Sequence, residues 1–220
     1  MPKAVIFDVD GTLIDTNELH ARSWAETFRH FGHPVPVDEI RPQIGKGGDQ
    51  LMPVFLERSA VEEKGEAMER FRAELVKRAL PQTRTFPFVR ELFERIRAAG
   101  MRIALATSAK AEELEHYLEI AGIPDLVDAR TSSDDAERSK PEPDIFRAAL
   151  ERLDLPPAEA VVVGDAPYDA KAAGKAGMRA VGLLSGGFPE AELRQAGCVA
   201  IYRDAEDLLR NFETSPLAPR

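Results

Sequence analysis

A parallel α/β sheet covered by helices on both faces is the fold class that three observations predict. Short apolar runs rich in β-branched residues recur along the chain. Helical stretches or turns separate them, which gives a βα alternation and favours parallel strands. One long stretch, residues 16–87, carries helical patterns and no convincing strand, so a helical insertion is expected after the first strand.

The first strand is expected over Lys3 to Asp10, where an apolar run ends in acids and Gly11, as a buried strand opening into a turn does. The insertion begins with a helix that places Leu19, Trp24, Phe28 and Phe31 at mostly three- and four-residue steps. That helix stops at Gly32, with Pro34 and Pro36 beyond it. Helices are expected again over Gly48 to Glu57 and Glu62 to Leu80, and Pro81 to Pro87 reads as the return linker. Strands follow at Arg102 to Thr107, Ala160 to Gly164 and Arg179 to Leu184, with further candidates at Leu126 to Arg130 and Cys198 to Tyr202. Thr214 to Arg220 reads as a frayed tail. The expected division is 1–15 with 88–220 for the α/β core, and 16–87 for the helical unit.

The 220 residues are 44% hydrophobic and 30% charged, an ordinary globular composition that excludes disorder as the main state. A net charge of −9 provides no general field for a nucleic-acid backbone. The single cysteine, Cys198, cannot close an internal disulfide and is expected to be inert in an apolar strand. No signal-like segment follows Met1, and no apolar run approaches the ~20 residues of a membrane span, so a cytoplasmic location is expected. No extended apolar stripe is evident, which makes a monomer the default.

In an open α/β sheet the residues just past the strand ends face the ligand. Four such segments carry chemistry. In Asp8-Val9-Asp10-Gly11-Thr12, alternation puts both aspartates on one side. Close carboxylates raise each other's pKa or require a cation, and hard oxygen ligands suit Mg²⁺. In Thr107-Ser108-Ala109-Lys110, hydroxyls and free N–H groups could receive an anion, although Ser or Thr there is also an ordinary helix cap. In Ser139-Lys140-Pro141-Glu142-Pro143, the prolines aim Lys140, which can neutralise phosphate oxygens. In Gly164-Asp165-Ala166-Pro167-Tyr168-Asp169, Gly164 allows close approach beside two more carboxylates; a helix N-cap by Asp165 is the plainer reading.

With these motifs the sequence resembles the haloacid dehalogenase superfamily: Asp8-Val9-Asp10-Gly11-Thr12, then Thr107 or Ser108, then Lys140, then Gly164-Asp165 with Asp169. The resemblance spans nearly the whole chain. It implies a Rossmann-like core with a small all-helical cap, and the run from Asp15 to Trp24 is similar to the cap entry of the phosphoglycolate phosphatase and β-phosphoglucomutase branches.

The activity expected on this basis is Mg²⁺-dependent hydrolysis of small phosphomonoesters, phosphoglycolate or sugar phosphates among them, through a phosphoaspartate. Asp8 would be the nucleophile and Asp10 the general acid and base. Asp8, the Asp10 carbonyl and Asp165 would bind the metal, with Asp169 orienting a metal-bound water or holding Lys140. Thr107 or Ser108 and Lys140 would stabilise the transferring oxygens, the resemblance favouring Thr107. Gly11, Thr12, His20, Gly45, Lys46, Ser108 and Ala109 are expected against the substrate, a small phosphorylated metabolite. His20 could gate proton transfer by Asp10, and Lys46 either recognises an anion or is merely solvated. Gly45, Gly47 and Gly48 do not follow a strand as a dinucleotide loop does, and are read as letting the loop approach a ligand.

The resemblance implies that the superfamily's dehalogenases and phosphonatases lack an acid two positions after the nucleophile, so Asp10 argues against both chemistries. A β-phosphoglucomutase-like mutase stays open as the alternative, although the loop at Gly45 to Asp49 has no arginine for a second phosphate. A phospho-accepting signalling receiver would use many of the same parts, but it has no helical lid.

Overall fold

The computed structural model describes residues 2–218. The chain opens with β1 (Ala4–Phe7) and continues into α1 (Asn17–His30), α2 (Val37–Ile40), α3 (Gly48–Phe55) and α4 (Arg58–Ala79). It then alternates through α5 (Val89–Ala98), β2 (Arg102–Ala106), α6 (Ala111–Ala121), β3 (Ala129–Thr131), α7 (Asp144–Leu153), β4 (Ala160–Gly164) and α8 (Pro167–Lys175). The last elements are β5 (Arg179–Leu183), α9 (Glu190–Ala196), β6 (Cys198–Tyr202) and α10 (Ala205–Arg210). The strands form one parallel sheet in the order β3-β2-β1-β4-β5-β6, the α/β class that the sequence predicts.

Strand alternation divides the core between the two faces. Val5, Phe7, Ile103, Leu105, Val161 and Val163 point to one side, where large residues such as Phe93 of α5, Leu118 of α6, Leu208 of α10 and Phe212 just after it pack on them. Ala4, Ile6, Ala104, Ala106 and Val162 point to the other, against α7 and alanines of α8. Small strand residues there leave little stand-off between helix and sheet.

β1 lies in the middle of the sheet, with Phe7 level with Leu105 of β2 and Val163 of β4. Asp8, the next residue, therefore leaves the carboxyl edge at its centre. The ladder ends earlier than the expected strand. From Val9 the chain turns, Leu13 N–H bonding back to the Val9 carbonyl at 2.8 Å, and Gly11 supplies the φ of +75°.

The helices between β1 and α5 have a hydrophobic cluster of their own, in which Trp24, Phe28, Ile40, Leu51, Met52 and Met68 are buried. Entry and exit run side by side. Ile14 bridges Thr85 antiparallel, Asp15 N–H donates to the Arg84 carbonyl at 2.9 Å, and Phe86 N–H to the Leu13 carbonyl at 2.9 Å.

Boundaries move elsewhere as well. β3 starts at Ala129 rather than Leu126, because Leu126 is held in a turn to Ile123 and the Asp128 side chain accepts from Ile103 N–H at 2.8 Å. α4 begins at Arg58, ahead of the expected Glu62. The frayed tail is a correction as far as Ala218: Leu217 is fully buried with Phe212 and Leu208, and Ser215 Oγ accepts Leu217 N–H at 3.2 Å. Pro219 and Arg220 lie outside the described residues. No helix among the described residues is long and apolar enough to cross a membrane.

Candidate active site

The four predicted segments meet at the carboxyl edge of the sheet. Asp8 is buried, and one of its oxygens bonds the Lys140 ammonium. Lys140 is itself buried and lies 2.8 Å from Asp169 Oδ1, so one cation joins two carboxylates that are remote in sequence. Thr12 Oγ1 sits between Asp8 Oδ2 at 3.2 Å and Asp165 Oδ1 at 2.8 Å. The other Asp165 oxygen accepts from Asn17 Nδ2 at 3.0 Å, and Asn17 also donates to the Gly186 carbonyl.

Asp165 does not cap α8. Ala166 stands at the N-cap, and Asp169 in the first turn reaches back so that its Oδ2 accepts Ala166 N–H at 3.0 Å. Gly164 is required beside it, since a Cβ there would stand 2.5 Å from the Asp169 carboxyl carbon.

One carboxylate oxygen each of Asp8, Asp165 and Asp169 lies within 4.8 Å of the other two, and all three residues are buried. Burial pushes the Asp8 carboxyl up to about 7 despite Lys140, with the Asp169 and Asp10 charges adding to the rise. Asp165 is pushed well above the ordinary carboxylate range, by burial first and then by Asp8 and Asp169. The same two carboxylates hold Lys140 above its usual range against its own burial.

Asp10 is arranged differently. Burial alone would raise it, but His20, Thr16 and Tyr117 hold it well below the usual range. His20 Nε2 is 2.8 Å from Asp10 Oδ1, Thr16 Oγ1 donates to the same oxygen at 2.7 Å, and Thr107 Oγ1 donates to Oδ2 at 3.3 Å. Arg72 of α4 lies 3.4 Å from His20 Nδ1. A guanidinium can only donate, so Nδ1 accepts and the ring proton sits on Nε2, facing Asp10.

A cavity of about 630 Å³ opens between this edge and the helical insertion. Asp8, Asp10, His20, Lys46 and Ser108 line it, together with Gly45 and Ala109. Thr107 is fully buried beneath, its hydroxyl also accepting Ala109 N–H at 3.0 Å. Gly11 and Thr12 are buried below the carboxylates as well, Gly11 accepting at its carbonyl from Ser185 Oγ at 2.7 Å.

Lys46 is tethered to Gln43 Oε1 at 2.6 Å and lies over the Tyr168 ring, 4.7 Å from its centroid. The glycines beside it let the loop press on protein. Gly45, at φ +99°, would bring a Cβ within 2.8 Å of Ala166, and Gly47 would meet Ser139. Cys198, half-buried in β6, has its thiol pushed up to about 12 by burial.

The strand-end rule did not reach Asn17, Arg72, Glu113 and Tyr117. Asn17 lies one turn before His20, and Glu113 and Tyr117 share a face of α6 at i, i+4. That spacing was the available signal once His20 was in view.

A family model for haloacid dehalogenase-like hydrolases matches residues 5–183. The chain is 30% identical over 183 residues to pyrophosphatase PpaX of Bacillus velezensis, covering 82% of each. It is 29% identical over 208 residues to the phosphorylated carbohydrates phosphatase of Thermotoga maritima, covering 94% of this chain and 96% of that one. Among solved structures, a hydrolase from Pseudomonas syringae matches with a TM-score of 0.90 at 30% identity, over 97% of this chain and 99% of the other. Family model, relatives and the geometry of the four loops agree: the chain belongs to the haloacid dehalogenase-like hydrolase family.

Proposed function

We propose that this protein is a magnesium-dependent phosphatase that hydrolyses small phosphomonoesters through a phosphoaspartate on Asp8. The observation that carries the reading is the position of Asp8: a buried carboxylate at the centre of the sheet edge, gripped by Lys140 and Thr12, and open to the cavity.

Buried carboxylates with oxygens within 4.8 Å of one another, two of them pushed up by burial, are a donor set that fits a hard divalent cation. Asp8, Asp165 and the Asp10 carbonyl would hold it. When bound, the ion offsets the repulsion between an anionic nucleophile and an anionic ester. Asp169 keeps Lys140 in place through the 2.8 Å ion pair.

An Asp8 oxygen attacks phosphorus and the bond to the leaving oxygen breaks, with Lys140 and a hydroxyl of the 107–108 loop facing the charge that shifts onto the equatorial oxygens. Thr107 also orients Asp10. The negative charge of a bound ester raises the proton affinity of Asp10, so that Asp10 enters this half protonated and delivers that proton to the leaving alcohol, held in place by His20 Nε2 at 2.8 Å. In the second half Asp10, whose carboxylate form is favoured here, takes a proton from the water that attacks the phosphoaspartate. Phosphate then leaves and Asp8 is regenerated.

Residues 16–87 act as a cap that closes the cavity and excludes water during transfer. Hydrolysis is favoured over a mutase reaction because the cationic side chains that the cap offers are engaged: Arg72 with Glu69 at 3.2 Å, Arg70 with Glu66, and Lys46 with Gln43. The test is phosphate release by purified protein from a panel of phosphomonoesters, with Asp8→Asn alongside. Multiple turnovers lost completely in Asp8→Asn, with a single cooperative melting transition retained, are expected; retained turnover in that variant refutes the nucleophile.

A further inference from the structure

Glu113 stands in the first turn of α6, just beyond the 107–110 loop, and lines the cavity opposite the helical insertion. It is only 7% exposed, and its Oε2 has no hydrogen-bond partner among the described residues. The mechanism above does not use it. Buried carboxylate oxygens are rarely left unpaired, so a partner from outside the chain is the natural complement.

The titratable groups around it are Arg72 and Glu69 of α4, His20 of α1, and Asp10. Arg72 is itself fixed by Glu69 at 3.2 Å and by the Trp24 ring, 5.2 Å from its centroid. Tyr117, one turn along α6 from Glu113, is 3.5 Å from the His20 nitrogen that bonds Asp10. The face of α6 that carries Glu113 thus looks onto the outer side of Asp10.

A leaving oxygen must reach Asp10 to be protonated, so the atoms next to it pass between Arg72 and Glu113. A hydroxyl there satisfies both, accepting from the guanidinium and donating to the carboxylate. A second anionic group would find the Arg72 charge already balanced by Glu69 and would face the further carboxylate of Glu113. An alkyl chain would leave the carboxylate unpaired.

We propose that Glu113 is a specificity-determining residue that binds a hydroxyl of the leaving group, selecting hydroxylated phosphate esters over alkyl and anionic ones. The proposal rests on the phosphatase reading. It is tested by kcat/KM for glucose 6-phosphate, hexyl phosphate and pyrophosphate, with wild type, Glu113→Ala and Glu113→Gln.

Glu113→Ala is expected to lose about ten- to a hundredfold on glucose 6-phosphate, the scale of a hydrogen bond to a charged group. Hexyl phosphate should stay within about threefold, which also reports an intact fold and intact chemistry, and pyrophosphate should improve. Glu113→Gln still accepts a hydrogen bond but carries no charge, so it should retain most of the glucose 6-phosphate activity and gain on pyrophosphate. Parallel changes on all three esters, or an unchanged rate on glucose 6-phosphate in Glu113→Ala, overturn the proposal. Wild-type protein that hydrolyses none of the three overturns the phosphatase reading beneath it.

Discussion

Magnesium should raise the melting temperature of this protein by roughly 5–10 °C at pH 8 and by almost nothing at pH 5. The perturbation acts on Asp8, Asp165 and Asp169, three buried carboxylates with Lys140 as the cation among them. A ligand at a hundred times its Kd adds ~2.7 kcal/mol to the folded state, and each kcal/mol moves the melting point of a chain this long by ~2–4 °C. Asp8 is pushed up from 3.8 to about 7. A raised carboxyl favours the metal-free fold fully below the unfolded value, and that contribution is lost as pH rises through about 7. Metal-free protein should therefore lose stability between those limits, and magnesium should restore it at the alkaline end. At pH 5, two units below the Asp8 midpoint, ionising the carboxylate before it can bind costs ~2.7 kcal/mol at 1.36 kcal/mol per unit, which cancels the gain. Differential scanning fluorimetry at matched ionic strength reads both arms, with Asp165→Asn as the variant that should lose the response. A shift of equal size at the two pH values, or none at either, refutes the argument.

Two further outcomes test the architecture. Leu217→Ala should cost ~2–5 kcal/mol in denaturant unfolding, because Leu217 is fully buried against Phe212 and Leu208; a change within the error of the wild-type midpoint would mean that the C-terminal segment is not docked. Gly45→Ala should strain a φ of +99° and push the loop off Ala166, lowering kcat/KM by about tenfold; steady-state kinetics equal to wild type would show that the loop's seat is irrelevant to turnover.

The parts of this molecule legible in its sequence are those with local causes. Apolar runs such as Ala160–Gly164 read as strands because both of their faces are buried; the aspartates and hydroxyls are legible because the strand-end rule needs no knowledge of packing, and Lys140, well past the end of β3, through the prolines beside it. Residues that approach the site through helix packing were not legible. Arg72 reaches His20 only because α4 folds back on α1, and neither periodicity nor motif records which side of α4 turns inward. The tail misled for the opposite reason: Thr214 to Ala218 has the composition of a loose end, yet Leu217 joins the core cluster that includes Phe93 of α5, Leu208 of α10 and Phe212 just after it. The glycines at 45 and 47 advertised a close approach without naming the neighbour, which proves to be Ala166 and Ser139 of the core loops.

The bridge between Ile14 and Thr85 has a consequence for how such a chain can vary. Because the outgoing and returning strands are already hydrogen-bonded neighbours, the sheet closes over their junction whatever lies beyond it. A tight turn would span the gap as well as the long helical connection does, and longer connections there raise the closure entropy only logarithmically. The helices thus stand on a fixed socket into which α1 reaches back, so a changed connection spares the site only where side chains equivalent to Asn17 and His20 keep their bonds to Asp165 and Asp10.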